Sequence, residues 1–338
     1  MSMDRVRIGV IGAGSIARTV HLPSLAEMSD VELVAICDLR VERARKLAEE
    51  HGIERTYISY HEMLAKESLD AVFVLVEPGN IFHVAWQCLE AGLPAFMEKP
   101  PGITSVQAWS LARKAEQKGR ILQVGFNRRH IPVVRRALEI VRSKSTITQV
   151  EGSFVKYGSA SFDHGSLSAF VSDSIHAVDL VRWIAGGTPA AAGLVAARHD
   201  DVVDNSWNGV VRFDNGVTGI VKANYRTGGR VHRAEIHGPG ISAYISLGFG
   251  EPSCEATILT HEGESRYSLA AAGAARENVE RIDGMELAGS KEFHKYYGFF
   301  QEDRHFVDCV KSGATPDPDI VEGARSLELV EMLLANRI

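Results

Sequence analysis

The chain has 338 residues, enough for two domains at about 150 residues each. Its 37 Lys+Arg against 43 Asp+Glu give a net charge of −6, which argues against a nucleic-acid or anionic-membrane surface as the main partner. No run reaches the ~18 apolar residues of a transmembrane helix, and the opening MSMDRVRIGVIGAG lacks the pattern of a signal peptide. Cys37, Cys88, Cys254 and Cys309 form no CxxC pair and sit in apolar contexts. They read as buried free thiols of a cytoplasmic protein.

The first 125 residues alternate two periods. Val6–Ile11, Val31–Cys37, Ala71–Val76, Ala95–Met97 and Ile121–Val124 are short apolar runs that read as strands. Between them Ser15–Met28, Val41–His51, Asn80–Ala91 and Ser105–Lys118 have helical spacing, the last two stopping at Gly92 and Gly119. Strands alternating with helices imply βαβ units and a parallel sheet, covered on both faces because the strands are apolar throughout.

The pattern changes after Gly125. Ile131–Arg142 reads as a helix, Val150–Tyr157 as a strand and Asp173–Ile184 as a helix. Gly209–Phe213, Val217–Asn224, Ala234–His237, Ser242–Ile245 and Ala256–Leu259 have period-2 character, with a hairpin turn at Asp214–Gly216. Residues 263–295 read as an irregular or mobile excursion, and Phe299–Lys311 and Ile320–Asn336 as closing helices. The expected architecture is an α/β Rossmann domain at 1–125, followed at 126–338 by an α+β substrate domain with an open, mostly antiparallel sheet. An open sheet face of that size is expected to be covered by a second copy, giving a homodimer or homotetramer.

Gly12-Ala13-Gly14-Ser15-Ile16-Ala17 follows a strand and opens a helix, a GxGxxA fingerprint in its proper context. The first glycine permits the tight turn, and the second lets a pyrophosphate approach the backbone at the helix N-terminus, formed by Ser15 and Ile16. Asp38 ends the second strand, where a carboxylate accepts hydrogen bonds from the adenosine ribose; it could equally cap the helix at Val41. A carboxylate there repels a 2′-phosphate and favours NAD over NADP, although Arg40 and Arg43 offset part of that repulsion.

Glu98-Lys99-Pro100 ends the fourth strand, so Lys99 stands at the carboxyl edge of a parallel sheet, where such sheets bind ligands. A lysine there can hold a substrate hydroxyl and stabilise the alkoxide as it forms. Asn127, Arg128 and Arg129 follow the last Rossmann strand and would bind cofactor or substrate, or form interdomain salt bridges. Tyr296 and Tyr297 face substrate or pack in the core. The thirteen histidines show no HxH or HExxH spacing, so no metal site is read.

GAGSIA, Asp38, EKP at 98–100, VGFNRR at 124–129, SDSIHAVDLVRWIAGG at 172–187 and FFQEDRHFVDCVKSG at 299–313 together resemble the Gfo/Idh/MocA oxidoreductases over nearly the whole chain. ARTVHLPSL, GFNRRHIP and the His176 segment look most like the virulence-factor-like branch. The resemblance implies hydride transfer between a nicotinamide and a secondary hydroxyl of a sugar, sugar derivative or cyclitol. By position, Lys99 matches the family lysine, His176 the proton acceptor or donor, His83 a position lining the cofactor pocket, Pro78 the turn beside it and Glu98 a residue of the same pocket. Asn127, Arg128 and Tyr296 join Lys99 and His176 as substrate-binding candidates.

There is one departure. Where the family commonly has Asp four residues before the histidine, this chain has Ser172, and the acid is Asp173. Asp173 either orients His176 from one turn away or caps the helix. Asp179, a turn further on, is a second partner for His176 or an ordinary polar contact. Two rival functions use the same residues: internal redox cycling on a tightly bound NAD, and a non-catalytic NAD(H)-binding regulator.

Overall fold

Six strands, β1 (Val6–Ile11), β2 (Val31–Cys37), β3 (Arg55–Tyr57), β4 (Ala71–Val74), β5 (Ala95–Glu98) and β6 (Leu122–Gly125), form one parallel sheet in the order β3-β2-β1-β4-β5-β6. This is the doubly wound order that puts a ligand crevice at the carboxyl ends of β1 and β4. Every residue of β4, β5 and β6 is buried, which is why these strands read as unbroken apolar runs. The computed structural model describes residues 4–162, 167–249, 253–261 and 277–338.

Helices Val41–His51 and Ser105–Lys118 have the bounds that periodicity predicts. The helix after β1 differs: it ends at Ala26, short of Met28, and its stretch Ala17–His21 is wound as a π-helix. Strand β3 and the helix Tyr60–Lys66 escape the sequence reading, β3 because it is a three-residue edge strand without a buried side chain.

The second sheet has eight strands: β7 (Gln149–Tyr157), β10 (Pro189–Ala197), β11 (Ser206–Phe213), β12 (Thr218–Asn224), β13 (Arg226–Gly238), β14 (Ile241–Leu247), β15 (Cys254–His261) and β16 (Glu277–Asp283). A short pair, β8 (Ser161–Phe162) and β9 (Leu167–Ser168), stands apart. The order is β10-β11-β12-β7-β13-β14-β15-β16, with β12 and β7 parallel and all other neighbours antiparallel. Helices Pro132–Lys144 and Ile175–Ala185 cover one face. On the other, Val195, Val210 and Tyr244 are exposed.

The expectation of an irregular 263–295 stretch is overturned where it can be seen. Residues 277–283 pair with β15 as an edge strand, and Gly284–Ala288 and Phe293–Tyr296 are helical; 263–276 lie outside the described residues. The closing helices Phe299–Ser312 and Ile320–Ala335 return to the first sheet, packing against the helix after the glycine loop and against Ser105–Lys118. Among the described residues, no helix is long and apolar enough to cross a membrane.

Candidate active site

The glycine loop has the shape a dinucleotide needs. Gly12 adopts φ +108, and a Cβ there would stand 2.2 Å from the carbonyl oxygen of Leu75, so only glycine closes this turn. A Cβ on Gly14 would meet nothing within 4 Å, leaving space before the N-terminus at exposed Ser15 and half-buried Ile16. Asp38 Oδ2 accepts from the N–H of Ala13 at 2.8 Å, and Oδ1 accepts from the N–H of Arg40 at 2.7 Å. Asp38 therefore braces the loop and caps the turn into the helix at Val41; the Arg40 side chain is exposed. Pro78 opens the helix Pro78–Glu90 after β4, and His83 is exposed on it. The loop fits a nicotinamide dinucleotide, whose phosphates Gly12–Ile16 would hold and whose ribose Asp38 would meet.

Glu98 ends β5, but its carboxylate is engaged inside the protein. Oε1 lies 3.1 Å from His21 Nε2, and Oε2 accepts from the N–H of Lys99 at 3.1 Å. His21 Nδ1 is 2.9 Å from Asp303 Oδ1. Burial opposes a charge on His21, but Asp303 and Glu98 overcome it and hold the imidazolium up to about 10. Glu302, fully buried with no partner on either oxygen, has its carboxyl pushed well above the ordinary range by burial beside Glu98 and Asp303.

Lys99 reaches across to the second domain. Its Nζ donates to the carbonyl oxygen of Ser172 at 2.9 Å and lies 3.9 Å from Asp173 Oδ1. Neither sequence reading of Asp173 holds. The helix begins at Ile175, with Ser174 as its N-cap, and Asp173 instead ends the preceding turn Ala169–Ser172. Its carboxylate pairs with Lys156 and accepts from the Tyr225 hydroxyl at 2.5 Å, not from the His176 ring. Burial pushes the Asp173 carboxyl up, but Lys99 and Lys156 pull it further down, so it is ionised. Asp179 is not a partner of His176 either: Arg129 Nη2 and Ser326 Oγ both donate to it at 2.6 Å.

His176 is buried, and Arg128 Nη1 donates to its Nε2 at 2.7 Å. Because a guanidinium only donates, Nε2 is the unprotonated nitrogen and Nδ1, which has no partner, carries the proton. Burial first, and then Arg128 and Lys99, hold the imidazole well below its ordinary pKa, so it is neutral.

Arg128 is placed by Asn127, whose Oδ1 accepts from Nη1 at 2.6 Å while its Nδ2 donates to the carbonyl oxygen of Tyr297 at 2.9 Å. Asn127 is fully buried, so it positions Arg128 and does not face substrate, contrary to expectation. The contact requires Gly298: at φ +87, a Cβ there would stand 2.5 Å from the carbonyl oxygen of Asn127. Arg129 is a buried salt bridge to Asp179. Tyr296 also departs from expectation. It packs on Phe293, with its hydroxyl 3.4 Å from the Gly248 carbonyl oxygen, whereas the Tyr297 ring lies 5.2 Å from the Arg128 guanidinium.

Lys156, Tyr225 and His232 were not anticipated. Lys156 and His232 stand on the apolar, helix-facing stripes of β7 and β13, Lys156 after Val150 and Phe154 and His232 before Ala234 and Ile236, and Tyr225 continues the stripe of Val221 and Ala223 one residue beyond the end of β12. A polar residue interrupting an alternating apolar stripe is the signal that finds them. Elsewhere, Glu27, Glu292 and His294 bring ligand atoms within 4.8 Å of one another, but Lys295 already bridges both carboxylates at 2.7 Å.

Residues 6–126 match the oxidoreductase family with an NAD-binding Rossmann fold, and residues 139–243 match the GFO/IDH/MocA C-terminal domain. The chain is 25% identical to scyllo-inositol 2-dehydrogenase (NAD(+)) of Bacillus subtilis, over 96% of this chain and 92% of that one. It is 29% identical to myo-inositol 2-dehydrogenase of Thermotoga maritima; that match spans 54% of this chain and only 55% of the relative. A dehydrogenase from Chromobacterium violaceum shares the fold with a TM-score of 0.85 at 21% identity, covering 98% of this chain and 95% of that one. With both domains matched in order, the chain belongs to the GFO/IDH/MocA family of oxidoreductases.

Proposed function

We propose that the protein is an NAD-dependent dehydrogenase acting on a secondary hydroxyl of a sugar, sugar derivative or cyclitol. The observation that carries this is the meeting of Lys99, at the carboxyl edge of the first sheet, with the Ser172–His176 turn of the second domain, 2.9 Å away at the Ser172 carbonyl. When bound, NAD supplies the acceptor for the hydride that leaves the carbinol carbon. Lys99 holds the hydroxyl oxygen and offsets charge as the O–H bond breaks. His176, neutral with a lone pair on Nε2, receives that proton once Arg128 turns aside. Asp173 anchors Lys99 and Lys156 at the substrate side.

The placement of Asp38 supports NAD over NADP as cofactor. The exposed Val195, Val210 and Tyr244 support assembly of a homodimer or homotetramer through the open sheet face, and the four buried thiols support a cytoplasmic location. The test is reduction of NAD by a panel of polyols, sugar acids and sugar esters, followed at 340 nm, with light scattering for the oligomer. No reduction with any polyol, acid or ester would overturn the reading.

A further inference from the structure

The substrate side of the cleft gathers more positive charge than the protein answers. Lys156 on β7 and Arg230 on β13 are direct cross-strand partners, an arrangement in which like charges repel. The Arg230 guanidinium lies 4.0 Å from the Phe249 ring. Arg128 stands 5.5 Å from Phe154 and 5.2 Å from Tyr297, whose ring is 5.1 Å from Phe249. The cations thus line one aromatic tray, which His232 extends by stacking on Phe154 at 4.3 Å. Lys99 enters from the other domain. Among the described residues, the ionised carboxylate of this group is Asp173, taken by Lys156 and Lys99, and neither Arg128 nor Arg230 has an ion-pair partner. Glu302 is fully buried, and neither of its carboxyl oxygens has a hydrogen-bond partner, Arg128 included. The phosphates of NAD belong to the glycine loop on the first sheet and do not answer these second-domain side chains.

We propose that the substrate is an anionic polyol, a sugar acid whose carboxylate is received by Arg128 together with Lys156 and Arg230. This rests on the dehydrogenase reading and narrows it. A planar guanidinium set between aromatic rings matches a carboxylate by paired N–H donors, and Arg128 Nε, buried and without a partner, is a donor to spare. The same contact governs the base. Arg128 Nη1 caps His176 Nε2 at 2.7 Å, so a carboxylate that draws the guanidinium away leaves Nε2 open to the hydroxyl proton. Recognition of the acid and release of the base are then one event, and a neutral polyol achieves neither.

The test is equilibrium binding to the NADH-loaded protein, read by NADH fluorescence at fixed ionic strength. The probes are D-gluconate, its neutral counterpart D-glucitol, and D-glucitol 6-phosphate. Gluconate is expected to bind at least about 10-fold more tightly than glucitol, the advantage of a charge-assisted contact. Arg230→Gln should erase most of that advantage while leaving glucitol binding unchanged, and because Arg230 is exposed on its strand its substitution does not threaten folding; Arg128→Gln should erase the advantage as well. Equal binding of gluconate and glucitol, or an advantage that survives both substitutions, overturns the proposal. A phosphate ester that outbinds gluconate overturns the carboxylate assignment. Binding is read without turnover, so this result stands apart from the NAD-reduction test of the dehydrogenase reading.

Discussion

His21 Nδ1 lies 2.9 Å from Asp303 Oδ1, and both side chains are fully buried. The pair ties the π-wound helix after the glycine loop to the closing helix Phe299–Ser312. Through Glu98 on the other ring nitrogen it also fixes the strand end that carries Lys99. Removing the cation strands two buried carboxylates, so His21→Ala is expected to cost about 3–5 kcal/mol. The pH dependence has a definite sign. The folded-state pKa, raised from 6.5 to about 10, makes the contribution full below pH 6.5 and loses it as pH rises through about 10. Melting curves of wild type and His21→Gln across pH 6 to 11 should converge at the alkaline end; a gap that stays constant removes the imidazolium from the account.

Asp38 accepts from Ala13 N–H at 2.8 Å, so its carboxylate shapes the loop as well as standing where the proposed ribose contact would form. Asp38→Ala should weaken NAD binding by about 1–3 kcal/mol, the range for one or two lost hydrogen bonds to a charged acceptor, and should narrow the preference over NADP. Calorimetric titration with both nucleotides checks this. Unchanged NAD affinity would remove Asp38 from the cofactor site.

The first domain is legible because parallel strands buried on both faces write themselves as unbroken apolar runs, as AVFV in β4 does. Strand β10 escaped because it is an edge strand of PAAAGLVAA, which opens on proline and has almost no β-branched residues. At the site, the place of Lys99 directly after β5 was legible from the strand pattern. Asp173 was not, because its role turns on whether the helix starts at 173 or at Ile175, and helix ends are the least determined feature of a periodic pattern. Lys156 and Tyr225 were hidden because their partner, Asp173, lies far away in sequence and meets them only when the sheet forms.

All four cysteines are buried and unpaired, and burial raises the thiols of Cys37, Cys88 and Cys254 to about 12. Thiolate, the reactive form, is therefore scarce at neutral pH. A thiol reagent should titrate almost none in the native protein and four after unfolding without reductant. Fewer than four in the unfolded chain would show oxidation and overturn the cytoplasmic placement.

In the proposed mechanism the chemistry falls to Lys99, which reaches from the first domain to the Ser172 carbonyl, and to His176 on the helix Ile175–Ala185 that follows. Lys99→Ala and His176→Ala should each lose turnover while keeping NADH binding, because both act when charge moves on the substrate oxygen. A general base is typically worth about 10²–10⁴-fold, and since both serve one hydroxyl the double variant should fall well short of the product of the singles. Asp173→Asn should now act through the lysines. It removes the carboxylate that Lys99 and Lys156 share, so turnover should drop, where a mere helix cap would accept Asn at little cost. The pH profile carries a sign as well. His176 is held well below 6.5 by burial, then by Arg128 and Lys99, and a base works in its deprotonated form. For the free enzyme, kcat/KM should therefore hold as pH falls through 6.5 and decline only at lower pH. An acid limb centred near 6.5 that persists in His176→Ala would assign it to another group. If His176→Ala kept more than about a tenth of wild-type turnover, below the low end of a base's usual contribution, His176 would not be the base.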